Sequence, residues 1–133
     1  YEKDPNDLLK AKELYLTNLN KAYIKDRKED LQSISDGIRG NKGNVHLEIG
    51  NIINFHTDSY EACSDQISSE IKALYKLHPT NYAAAIIQGK EIDKYDFDSA
   101  EIDQSIQFLK NKIKAIPEEM HPYLLNQYSN PIL

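Results

Sequence analysis

Residues 45–78 read VHLEIGNIINFHTDSYEACSDQISSEIKALYKLH. Along this stretch Val45, Ile49, Ile52, His56, Tyr60, Cys63, Ile67, Ile71, Leu74 and His78 recur at steps of three or four. The mean step is close to the about 3.6 residues of an α-helical turn, so these side chains share one helix face. Glu48, Asn51, Asp58, Glu61, Asp65 and Lys72 fall on the opposite face. A competing alternation of Val45, Leu47 and Ile49 with His46 and Glu48 reads as a strand, and Gly50 weakens a helix. The longer pattern outweighs it and predicts a helix over about 45–78, closed by Pro79, with Cys63 and Ile67 facing inward.

Upstream, Asp4-Pro5-Asn6-Asp7 has the form of a helix start, with an acceptor at the cap and Pro in the first turn. Leu8, Ala11, Tyr15, Leu19 and Ala22 then repeat at helical spacing, and the pattern resumes at Leu31, Ile34 and Ile38. No Gly or Pro interrupts the charged run Lys25 to Asp30 between them, so one helix over about 5–39 is predicted. Gly40, Asn41, Gly43 and Asn44 form the stop and turn.

Beyond Pro79, a helix from Tyr82 to about Lys90 is expected, ended by Gly89. Asp98-Ser99-Ala100-Glu101 is a capping-box pattern ahead of Ile102, Ile106, Leu109, Ile113 and Ile116, which run to Pro117. The tail is expected to hold one helical turn around Tyr123, Leu124 and Leu125 before an extended end. The expected fold is all-α: an irregular antiparallel helical bundle in one domain, 1–133, built on the two long helices with two or three shorter ones.

Composition bounds the function classes. With 133 residues, 40% hydrophobic and 28% charged, the chain has ordinary globular usage and enough length for a core. The net charge is −5 and the basic residues are dispersed. Lysines outnumber arginines by fourteen to two, so neither the positive stripe nor the bidentate forks of a nucleic-acid reader are present. No apolar run approaches the about eighteen residues of a membrane span, so no membrane insertion is expected within this segment. Cys63 is the only cysteine, which excludes an intrachain disulfide. The chain begins at Tyr1 rather than Met, which fits a secreted or extracytoplasmic segment and leaves the compartment open.

No motif commits the chain to a reaction or a cofactor. Glu118-Glu119-Met120-His121 carries one Glu-x-x-His pair, but a di-iron bundle needs two, and Pro117 and Pro122 crowd this one. Asp93, Asp96, Asp98, Glu101 and Asp103 fail the calcium-loop pattern, which asks for Gly and Glu where Glu101 and Gln107 stand. His56 and Cys63 are seven apart on one predicted helix, about 10 Å along its axis, too far for a nucleophile and its base.

The expected function is therefore a non-catalytic helical interaction module, a regulatory, sensing or secreted protein acting on a macromolecular partner. Tyr95 and Phe97, flanked by Asp96 and Asp98, are the candidate partner-binding residues. In an extended segment both rings point one way, and an acidic rim suits a basic protein partner. The alternative role for the rings is to plug the bundle's end. A second function class is a binder of a small ligand or metal in the bundle core near His56 and Tyr60. A third is a small enzyme with a site assembled from remote carboxylates.

Overall fold

The computed structural model describes residues 1–20, 23–53 and 59–132. Of these, 64% are helical and none is in a strand, so the protein is all-α. The helices are α1 (Asp7–Leu19), α2 (Arg27–Arg39), α3 (Tyr60–Leu74), α4 (Pro79–Ile87), α5 (Ser99–Ile113) and α6 (His121–Ser129). The chain divides into two units, one of Tyr1–Val45 with Leu77–Leu133 and one of His46–Lys76.

In the first unit, α1, α4, α5 and α6 surround a core of Ala11, Ala83, Ala84, Leu109, Met120, Leu124, Leu125 and Tyr128. The small side chains Ala83, Ala84 and Ala85 let α4 lie close to α5 and α6. Two buried polar side chains in this unit find partners across the fold. Asn81 Nδ2 donates to the Tyr128 carbonyl at 2.7 Å, and Thr80 Oγ1 to the Glu2 carbonyl at 2.6 Å.

The N-terminal segment crosses α2 before entering α1. Glu2 N–H donates to the Asn44 carbonyl and Lys3 N–H to that of Lys42, each at 2.9 Å. Gly40 makes the crossing possible: a Cβ there would lie 2.2 Å from the Pro5 Cβ. A second tie between α1 and α2 is ionic, with Lys12 on Glu29 at 3.1 Å and Lys25 between Glu13 and Asp30 at 3.3 and 3.2 Å. The Tyr23 hydroxyl donates to Glu29 at 2.6 Å, and that bond, ahead of Lys12, holds the Glu29 carboxyl below its usual range.

Neither long helix forms as expected. Instead of one helix over 5–39, α1 ends at Leu19 and α2 begins at Arg27. The charged run contains its own start signal: the Asp26 side chain accepts from the Lys28 N–H at 2.8 Å, and Glu29 and Asp30 sit in the positive first turn. Instead of 45–78, α3 is bounded by Ser59, whose hydroxyl accepts from the Ala62 N–H at 3.1 Å, and by Tyr75. Residues 45–53 are not helical. Gly50 lies against Glu70 and Leu74, and Asn51 N–H donates to Glu70 Oε1 at 2.7 Å. Gly50 weakens the helix there, and the alternation forms no strand either.

Three further expectations need correction. No residue of α3 is buried, and Ile67 and Ile71 are exposed, so the apolar stripe is not a core face. Periodicity states which face is apolar and not what covers it. His78, counted on that stripe, precedes Pro79 at the start of α4, and its N–H donates to Asn81 Oδ1 at 2.6 Å. The turn expected around Tyr123, Leu124 and Leu125 is a full helix, with Pro122 in its first turn where a missing N–H costs nothing, and the end at Asn130–Ile132 is a 3-10 turn rather than extended.

Candidate functional site

The connection from α4 to α5 is fixed at both ends by local chemistry. At its start Gly89 adopts φ +68°, a left-handed conformation that glycine takes without penalty. Its N–H donates to the Ile86 carbonyl and that of Lys90 to Ala85, each at 3.0 Å, completing a Schellman motif. At the other end Asp98 accepts from the Glu101 N–H at 2.8 Å, and Glu101 reaches back to the Asp98 N–H at 3.2 Å. Both signals were read from the sequence.

Between these clamps Tyr95 and Phe97 lean on one ring, that of Tyr82 in the first turn of α4. The centroid distances are 5.4 Å to Tyr95 and 5.7 Å to Phe97, with interplanar angles of 45° and 57°. Such tilted pairs place ring edges against ring faces. Tyr95 keeps 38% of its surface in solvent and Phe97 is half-buried; neither belongs to the core cluster. Asp96 is exposed, while Asp98 is engaged as the cap. Among the described residues no cation pairs with Glu91, Asp93, Asp96, Asp98 or Glu101. The sequence reading missed Tyr82 as the third ring, although an aromatic in the first turn after Pro79 was visible.

Of the other candidate residues, Tyr60 stands at the start of α3 with 93% of its surface exposed. His56 lies outside the described residues. No group of three His, Cys, Asp or Glu among the described residues is placed to hold a metal ion. No helix among them is long and apolar enough to cross a membrane.

Two further arrangements were not anticipated. One is buried: Asp7, fully enclosed, takes the Tyr128 hydroxyl at 2.5 Å and the Lys112 ammonium at 2.7 Å. Burial, and next the Asp7 charge, push the Tyr128 phenol far above its ordinary value. The other is on the surface: Leu31, Ile34 and Ile38 form an exposed apolar line along α2, which buries no residue. Compared with family models, curated proteins and solved structures, the chain matches none of them.

Proposed function

We propose that this chain is a non-catalytic interaction module that docks a basic segment of a protein partner on the α4–α5 connection. The observation that supports the reading is the pairing of Tyr95 and Phe97 on Tyr82 at 5.4 and 5.7 Å, outside the core, beside carboxylates that no cation among the described residues occupies. Aromatic side chains bring large contact area with few rotatable bonds, which suits an anchor. The acidic surround raises the local concentration of a basic partner, and an incoming Lys or Arg can sit over an open ring face. The helices behind the connection are read as an irregular bundle whose role is to hold it rigid.

The test is a titration with labelled Lys- and Arg-rich peptides, followed by fluorescence anisotropy at low and high salt. The reading expects binding that weakens as salt rises and weakens further in Asp93→Asn/Asp96→Asn. Equal binding by that variant, or no binding of any basic peptide at low salt, refutes it.

A further inference from the structure

The first unit contains a cleft of about 490 Å³ where the N-terminal segment passes between the end of α2 and the face of α5. Its lining includes Lys3, Asp36, Arg39, Asn41, Phe108 and Lys112. In a chain of net charge −5, this one concavity gathers three cations against one carboxylate. We propose that it binds a compact oxyanion of phosphate type carried by a small soluble molecule, with Arg39 and Lys3 as the principal ligands.

The three cations are not equivalent. Lys112 is already held by Asp7 at 2.7 Å, and its ammonium lies 5.1 Å from the centre of the Phe108 ring. Lys3 lies 5.1 Å from the same ring centre and forms no ion pair among the described residues. Phe108 therefore holds both ammonium groups at the cleft by attraction to its π-face. Arg39, in the last turn of α2, also has no carboxylate partner among the described residues. Its planar fork matches two oxygens of a phosphate or carboxylate, which an ammonium cannot do.

The single acid at the cleft is partly occupied, since Gln32 Nε2 donates to Asp36 Oδ1 at 2.7 Å. Asn41 adds a neutral group; its side-chain oxygen accepts from the Gly43 N–H at 2.8 Å, leaving the amide nitrogen as a donor. The volume falls within the range of about 300–1,000 Å³ typical of small-molecule sites. The source of the oxyanion follows from the surroundings. An anionic bilayer or a nucleic acid needs an extended basic surface, and a chain with five excess negative charges is repelled outside this one cleft.

The experiment is isothermal titration of the whole chain with pyrophosphate and with inorganic phosphate at low ionic strength. Arg39→Gln and Lys3→Gln are compared with Arg27→Gln, at the other end of α2 and outside the cleft. Circular dichroism confirms that each variant is folded. The proposal expects saturable binding by the wild type, weakened about tenfold or more by Arg39→Gln or Lys3→Gln, as loss of a charge-assisted pair implies, and unchanged in Arg27→Gln. A parallel arm uses phosphatidylcholine vesicles with and without phosphatidic acid. No saturable binding of either free anion, an equal loss in Arg27→Gln, or binding confined to the phosphatidic acid vesicles overturns the proposal.

Discussion

Tyr128 donates its hydroxyl to the Asp7 carboxylate at 2.5 Å, joining the first helix of the chain to the last across 121 positions of sequence. The same phenol oxygen accepts from the Asp4 N–H at 3.1 Å, and Asp7 also takes Lys112 from α5. One buried charge thus ties three helices. Breaking a buried pair by removing one partner leaves the other uncompensated, so Asp7→Ala is expected to cost about 3–5 kcal/mol in urea unfolding. Tyr128→Phe, which removes hydrogen bonds but no charge, is expected to cost about 1–3 kcal/mol.

The raised pKa of Tyr128 gives a pH prediction of definite sign. An unfolded phenol loses its proton above about pH 10, whereas the folded one keeps it. The unfolded state then binds fewer protons, so this contribution is complete below about pH 10 and is lost as pH rises beyond it. Unfolding curves between pH 9 and 12 (about the span of the transition) are expected to fall more steeply for wild type than for Tyr128→Phe. Parallel curves would remove Tyr128 as the source.

Gly40→Ala tests the crossing of the N-terminal segment over α2. The φ of Gly40 is −69°, so alanine suffers no backbone strain there, and the obstacles to its Cβ are the Pro5 side chain and, at 2.6 Å, the Asp36 carbonyl oxygen. A destabilisation of about 1–3 kcal/mol is expected from this overpacking, measured by denaturant midpoint. A neutral substitution would mean that the segment does not lie against α2.

Truncations separate the two apolar helix faces. Leu124 is fully buried, and Leu124→Ala is expected to cost about 2–5 kcal/mol. Ile67, with 36% of its surface exposed, is expected to cost clearly less than Leu124 when changed to Ala in the same thermal melts.

The features legible in the sequence were those set within a few residues. Gly89 as a stop and the Asp98–Glu101 box both depend on bonds spanning at most five positions, and both are present. The all-helical class was legible for the same reason, since periodicity is local. The divisions at 20–26 and before Ser59 were misread because only Gly and Pro were weighed as breaks, whereas Asp26 and Ser59 start helices through their side-chain oxygens. The Asp7–Tyr128–Lys112 cluster and the ring of Tyr82 under Tyr95 and Phe97 are products of tertiary packing, for which no spacing in the chain is a sign.

Whether Tyr95 and Phe97 anchor a partner or plug the fold is decided by stability and binding in one variant, Tyr95→Ala/Phe97→Ala. Chemical denaturation and basic-peptide anisotropy are recorded on the same preparation. If the rings are anchors, the unfolding free energy changes by less than about 1 kcal/mol while peptide binding is lost. A loss of several kcal/mol, as core truncations produce, or peptide binding equal to wild type, contradicts the account.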